Sequence, residues 1–338
     1  MTGKKGFTAK DKILKILEER RGEAVSGEKL AMEIGVSRAA VWKAIESLRN
    51  QGYLISATTN KGYILADSSD LLSAQGMIPF LDLEKYPCME ENIFTYKTLE
   101  STNKTAKQKA LEGAAGGTVI LAEEQTQGRG RLGRSFYSPA SSGLYMSIII
   151  RPDFDMRKSL LVTTAASVAI CRAIKNVCGI EAQIKWVNDI YIEGRKVCGI
   201  LTEAMTNFET GQIDSIIVGI GINCSTENFP VEIRETAGSI SGNISRNKLA
   251  AEIINNFQDI LDHFNEGMFP EYMDEYRKRS MVLRKDVYVY KNAAADLTSD
   301  FQKATAIDIS DEGGLIVIYD NGTKDTLTSG EISLRIIP

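Results

Sequence analysis

The chain has 338 residues, 43% of them hydrophobic and 25% charged, with five cysteines and one histidine. That length favours two or three domains, the ordinary composition excludes global disorder, and no apolar run approaches the roughly 20 residues of a membrane span, so no membrane partner is expected. The net charge of −4 is unevenly placed: residues 1–65 carry 12 Lys and Arg against 7 Asp and Glu, and the remainder is acidic. A basic block on an acidic body suggests that this block meets a polyanion, although a solvated lysine-rich end would look the same. The N-terminus is basic but lacks the apolar stretch of a secretory signal, so a cytoplasmic protein is expected. Cys88, Cys171, Cys178, Cys198 and Cys224 form no CxxC pair and have only His263 to join them. They read as reduced thiols, not a zinc site, and His263, in a helical stretch far from the motifs, reads as structural.

In chain order, residues 10–21 carry a helical stripe of Ile13, Leu14, Ile16 and Leu17. Ser26 can cap a short helix with Leu30, Ala31 and Ile34 facing inward, and Gly35 permits a tight turn. Ser37 caps a longer helix with Val41, Ala44, Ile45 and Leu48 on one face, ended by Gly52. Two short strands around Asn60-Lys61-Gly62 complete a winged helix-turn-helix. If the stripe faces inward, Ser37, Arg38, Ala39, Trp42 and Lys43 lie on the side such a motif presents to the major groove, and Lys61 at the wing tip suits a phosphate. The same pattern would serve a structural or protein-binding three-helix module; the local basic charge favours DNA.

Residues 66–82 read as a partly ordered connector. Beyond them, residues 118–125, 143–152, 182–189, 197–204 and 215–223 read as strands, and 158–176 and 248–264 as amphipathic helices. Several strands follow one another without an intervening helix, which favours an α+β mixed sheet over a doubly wound one. From about 280, short alternating strands separated by Asp311-Glu312-Gly313-Gly314 and Asp320-Asn321-Gly322-Thr323 predict a small β-barrel.

The most informative stretch is Gln125-Thr126-Gln127-Gly128-Arg129-Gly130-Arg131-Leu132-Gly133-Arg134. Its glycines fit GxGxxG, but a dinucleotide loop opens a helix, and Ser135-Phe136-Tyr137-Ser138-Pro139 is not a helix start. The Walker A pattern is absent, and an RGG-like nucleic-acid tract would repeat. What remains is a guanidinium-rich loop able to close over an anionic intermediate: arginines pair with phosphate oxygens and glycines let the backbone approach a ligand.

This loop, Ser101-Thr102-Asn103 before it, Lys185-Trp186-Val187-Asn188-Asp189, Gly194-Arg195-Lys196-Val197-Cys198-Gly199-Ile200-Leu201, Gly219-Ile220-Gly221-Ile222-Asn223 and the closing Gly330-Glu331-Ile332-Ser333-Leu334-Arg335 together closely resemble the biotin–protein ligase family, nearly end to end and in its domain order. The N-terminal segment resembles the DNA-binding domain of its bifunctional members, which also repress the biotin operon. The resemblance implies a winged helix-turn-helix at 1–66, a linker at 67–84, a catalytic domain of the biotin/lipoate ligase type at 85–279 and an SH3-like barrel at 280–338. It implies ATP, Mg²⁺ and biotin as reactants, a biotin carboxyl carrier protein as acceptor, operator DNA, and a homodimer on ligand binding, with biotinyl-5'-AMP as corepressor. Ser101, Thr102, Asn103 and Gln125 match positions around the biotin ureido ring; Arg129, Gly130 and Arg131 match the closing loop. Lys196 matches the lysine that reaches the biotin carboxylate and the α-phosphate, and Gly199 and Gly221 match places of close backbone approach. Arg131, Arg134, Phe136, Trp186, Asn188 and Asn223 are candidates for the nucleotide, with core packing an equal alternative for each aromatic. Asn188, Asp189 and Asn223 are candidates for Mg²⁺-ATP contact, and Asp189 also for deprotonating the acceptor lysine. Val187 stands where the family usually has proline, which predicts a slightly looser turn. Two rivals stay open: a ligand-sensing regulator without ligase activity, and a lipoate–protein ligase.

Overall fold

The computed structural model describes residues 7–58, 61–86, 90–152, 159–206, 213–242, 244–265, 270–290, 301–328 and 333–336. Asn60, Cys88 and the closing residues 330–332 lie outside them.

The N-terminal region contains α1 (Ala9–Glu19), α2 (Gly27–Ile34) and α3 (Arg38–Asn50), then the wing strands β1 (Ile55–Thr58) and β2 (Gly62–Leu65). The caps read at Ser26 and Ser37 are present, with the Ser26 hydroxyl accepting from the Lys29 amide and that of Ser37 from the Ala40 amide, and Thr8 and Asp11 add a capping box at the start of α1. Gly35 takes the left-handed conformation at φ 73° between α2 and α3. Val41, Ile45 and Leu48 are fully buried in a separate core with Ile13, Leu17 and Leu30, each burial contributing about 1.5–3 kcal/mol. The wing is anchored by a bridge from Val25 to Tyr63, where a side chain on Gly62 would collide with the Val25 carbonyl.

The connector departs from expectation. It forms the short helix α4 (Ala74–Met77), and Leu72, Ser73, Met77, Ile78 and Leu81 are buried. Apolar packing and a buried polar clasp hold it. Arg246 bonds Asp70 at 2.6 Å and Glu123 at 2.8 Å, Glu123 also accepts from the Leu72 amide, and Asn247 bonds the Ser73 amide and the Leu71 carbonyl. Arg21 of the winged helix donates to the carbonyls of Ala66, Asp67 and Ser69. Residues 66–81 are therefore a fastened strap.

The central region runs β3 (Ile93–Leu99), α5 (Thr102–Leu111), β4 (Val119–Gln125), β5 (Gly143–Ile150), α6 (Ser159–Cys178), β6 (Gln183–Lys185), β7 (Asp189–Ile192), β8 (Arg195–Thr206), β9 (Ile213–Asn223), α7 (Arg246–Asn265) and α8 (Pro270–Arg279). Its seven strands form one mixed sheet, ordered β3-β4-β5-β9-β8-β7-β6, with only β3 and β4 parallel. One face packs Leu121, Met146, Ile148, Ile220 and Ile200 with residues of α6 and α7; on the other, Ile120, Ile149 and Ile217 pack with Ala106 and Ala110 of α5. The strand read at 182–189 is two antiparallel strands, β6 and β7, with Lys185 opposite Asp189. In the turn between them the Trp186–Val187 peptide is cis. Val187 is buried and its carbonyl accepts from Tyr276 and Ser167, so the turn is held and the expected loosening is not found. The segment Leu160–Cys178 is apolar and long enough to span a membrane, but most of it is buried inside the fold.

The C-terminal region contains β10 (Asp286–Tyr290), β11 (Phe301–Ile309), β12 (Leu315–Tyr319), β13 (Lys324–Leu327) and β14 (Ser333–Ile336). They form a five-stranded antiparallel sheet ordered β13-β12-β11-β10-β14; among the described residues β13 and β14 are not paired to close the expected barrel.

Candidate functional site

Period-2 alternation sets the site's floor. Gly199, Leu201 and Glu203 of β8 lie beside Gly221, Gly219 and Ile217 of β9, and these beside Tyr145, Ser147 and Ile149 of β5. Glycines leave a trough in this face, and other side chains occupy it. A Cβ on Gly219 would strike the Asn103 amide, and one on Gly221 would lie 2.6 Å from the Phe136 ring. The side chains of Lys196 and Phe136 both lie against Gly199. Phe136 also meets Tyr145 edge-on at 6.5 Å.

The start of α5 delivers the polar wall. Ser101, Thr102 and Asn103 are all buried, and the Ser101 hydroxyl makes no capping bond. Gln125 Oε1 accepts from the Thr102 amide at 2.8 Å and from its hydroxyl at 3.1 Å, while Gln125 Nε2 donates to Ser138. Ser147 lies within hydrogen-bond distance of Thr102 Oγ1 and Asn103 Oδ1. Asn103 Nδ2 donates to Glu203 and to the Leu201 carbonyl.

The glycine–arginine loop closes on itself. The Phe136 amide donates to the Gly128 carbonyl, Arg129 bridges Ser135, and the Gly130 amide donates to the Arg134 carbonyl at 2.7 Å. Leu132 and Gly133 turn at φ 55° and 75°. Gly128 admits no side chain, because a Cβ there would meet Phe136 and Ser138. Arg129 and Arg134 are exposed. Arg131 is half-buried and donates to Asn188 Oδ1 at 2.9 Å; burial lowers its pKa from the ordinary guanidinium value. A cavity of about 450 Å³ separates residues 129–134 from Leu201 and Glu203. A second, of about 200 Å³, lies between Arg131, Asn188, Val187 and the Ile200–Thr202–Ala204 face.

Lys196 Nζ sits 2.6 Å from Asp189 Oδ1, an ion pair rather than a well-directed hydrogen bond. Asn223 donates to the Gly238 carbonyl, and its Oδ1 is buried without a partner among the described residues. No group of three His, Cys, Asp or Glu suited to a metal occurs among the described residues. Trp186, a candidate for the nucleotide side, goes elsewhere: its ring is buried and donates to the Gly313 carbonyl in the turn between β11 and β12. An indole buried in a core needs an acceptor, and that turn supplies one.

The fold thus gathers Ser101, Thr102, Asn103, Gln125, Phe136, Lys196, Gly199 and Gly221 on one face of the sheet. Arg129, Gly130 and Arg134 hang over it, and Arg131, Asn188 and Asp189 line its margin. Ser147, Ser138 and Glu203 are additional members. A small polar side chain in the largely apolar run of β5 signals Ser147, and Glu203 follows Gly199 and Leu201 at strand spacing. On the winged helix, Ser37, Arg38, Ala39, Trp42, Lys43 and Lys61 are exposed, with Trp42 at 56%.

Three family models match: an HTH domain over residues 10–64, the biotin/lipoate A/B protein ligase family over 95–223, and the biotin protein ligase C-terminal domain over 298–335. The chain is 34% identical to the bifunctional ligase/repressor BirA of Bacillus subtilis (strain 168), covering 97% of this chain and 99% of that protein. It is 28% identical to BirA of Escherichia coli (strain K12), covering 93% and 94%. Biotin protein ligase from Aquifex aeolicus in complex with biotin and ATP superposes with a TM-score of 0.61 at 27% identity, covering 73% of this chain and 99% of that one.

Proposed function

Because the chain belongs to the family of bifunctional biotin–protein ligase/repressors, we propose that it activates biotin with ATP at the glycine trough and transfers it to a lysine of a biotin carboxyl carrier protein. The observation that carries this reading is the meeting of Lys196 and Phe136 over Gly199, between the polar start of α5 and the arginine loop. Ser101, Thr102, Asn103 and Gln125 offer the uncharged donors and acceptors a cyclic urea requires. The biotin carboxylate then lies toward Lys196 and attacks the α-phosphorus of ATP, with departure of pyrophosphate. Lys196 and the loop arginines offset the charge that develops on the phosphoryl oxygens. Phe136 offers its ring to the adenine. Mg²⁺, when bound with the nucleotide, would offset charge on the phosphates, and Asn188, Asp189 and the buried Asn223 oxygen are the protein groups suited to hold it.

The mixed anhydride stays shielded while residues 128–134 cover it. The acceptor lysine attacks the acyl carbon, AMP leaves, and the amine's proton goes to a base, for which Asp189 is the nearest carboxylate to Lys196. A free lysine of pKa about 10.4 is under roughly 0.1% neutral at pH 7, so this assistance matters.

The winged helix supports repression. The half of β8 beyond Gly199 has no strand partner on its β7 side among the described residues. Joining two such edges places two α3 helices on an inverted-repeat operator in the cytoplasm, with biotinyl-5'-AMP as the ligand that orders the loop and favours the dimer. ATP–pyrophosphate exchange supported by biotin and not by lipoate is the expected result; exchange with lipoate alone, or with neither, defeats the ligase reading. Gel shifts of the biotin-operon promoter are expected only with biotin and ATP present, and their absence leaves a ligase without a repressor.

A further inference from the structure

We infer that Glu203 is a positioning residue that sets the direction of hydrogen bonding in the pocket, and thereby favours a ring carrying a carbonyl oxygen over one carrying an N–H at the same place. The inference rests on reading the start of α5 as the ureido site.

The row of polar groups is bounded by atoms whose roles cannot reverse. At one end the Thr102 amide can only donate, so the oxygen of Gln125 faces it at 2.8 Å. The Gln125 nitrogen must then point to Ser138, whose hydroxyl donates onward to the Phe136 carbonyl at 3.0 Å. At the other end the Leu201 carbonyl and the Glu203 carboxylate can only accept, at 3.2 and 2.8 Å, so the nitrogen of Asn103 faces β8 and its oxygen faces Ser147. The Thr102 hydroxyl spends its proton on Gln125. The Ser147 hydroxyl has one proton for two acceptors, Asn103 Oδ1 at 2.6 Å and Thr102 Oγ1 at 2.8 Å. Apart from the second N–H of Gln125, the side-chain protons of the row are committed inside it. Lone pairs are left for a ligand's ring N–H groups, and the uncapped Ser101 hydroxyl is left as donor to its carbonyl.

Glu203 is the charged member at the acceptor end, and its bond to Asn103 is the shorter of the two. Lys107 holds its other oxygen at 2.6 Å. Gly219 leaves the space in which the Asn103 amide is seated. Glutamine at 203 could turn its own N–H₂ toward Asn103, and only the longer bond to the Leu201 carbonyl, at 3.2 Å, would then hold the Asn103 nitrogen toward β8.

The test is steady-state ligation by the full chain of Glu203→Gln, with biotin and with 2-iminobiotin, whose ring bears a nitrogen in place of the carbonyl oxygen. We expect the KM for biotin to rise about tenfold, the cost of about one hydrogen bond to a charged group, with kcat little changed. The preference for biotin over 2-iminobiotin should fall by a similar factor, and Glu203→Asp, which keeps a charged acceptor, should retain it. Ser147→Ala breaks the same row at its middle and is expected to lose the same preference, so it serves if the glutamine variant does not fold. An unchanged preference in whichever of these folds overturns the inference. Thr102→Val and Gln125→Leu separate the two levels. If they raise the biotin KM while Glu203→Gln does not, Glu203 has no positioning role. If neither raises it, the reading of the pocket falls as well.

Discussion

The start of α3 and the loop at residues 128–134 both carry arginines on the surface, but they are supported in opposite ways. Arg38 and Lys43 project from a helix capped by Ser37 and nailed down by Val41, Ile45 and Leu48, each buried completely. The loop leans on its own backbone hydrogen bonds and, at Arg131, on one hydrogen bond to Asn188. A DNA duplex presents phosphates at fixed spacing, so a rigid presenter loses little freedom on binding. An acyl-adenylate must be admitted, covered and released, so its cover has to open at small cost. Cations alone do not distinguish these tasks; what lies beneath them does.

The largest expected effect breaks the comparison on the loop side. Lys196→Ala should lower biotin-dependent ATP–pyrophosphate exchange by about 10²–10³, the usual cost of a group aimed at developing charge, while leaving unliganded DNA affinity unchanged. Arg131→Gly comes next. Without its hold on Asn188 the loop should close less well, and filter-retention assays should show biotinyl-5'-AMP escaping about 10- to 100-fold faster, the cost of one or two charge-assisted hydrogen bonds. Equal retention would mean that Arg131 does not hold the cover. On the rigid side, Arg38→Ala and Lys43→Ala should weaken operator binding while ligation stays normal, with the slope of log affinity against log salt falling by about 1 for each phosphate left without its cation. A mutation there that slowed ligation would show that the two regions are not mechanically separate.

The smallest effect concerns the body that carries α3. Burial raises the pKa of Glu18 above its ordinary 4.5, despite its pairing with Arg21. The folded state therefore prefers the protonated carboxyl: that stabilising contribution is complete below about pH 4.5 and is lost as pH rises through the elevated folded value. Glu18→Gln should accordingly gain stability relative to the parent as pH rises from 4.5 to 7.5, measured by urea unfolding of the full chain. A difference that is flat with pH would contradict the raised value.

Several features are legible along the chain because their causes are local. Caps at Ser26 and Ser37, the stripe of α3 and the turn at Gly35 depend on atoms a few residues apart. The glycine–arginine loop is recognisable because only backbone freedom and guanidinium chemistry explain its composition, and its refusal to start a helix is visible in Ser135–Pro139. The strap reads along the chain only as a partly ordered connector, because what fastens it, Arg246 and Asn247, lies far away in sequence at the start of α7. Trp186 is ambiguous for the same reason: nothing near it in sequence names Gly313 as its acceptor.

The amino-acid order alone thus marks most of the elements, their order and the chemical type of the site, since helix caps, strand alternation and loop composition act over short distances. The pocket's wiring exists only in the folded molecule: Ser147 to Thr102 across 45 residues and Asn103 to Glu203 across 100. Those pairings follow from the register of β5, β8 and β9. A shift of one residue would turn Ser147 and Glu203 to the opposite face, and strand composition does not announce its register.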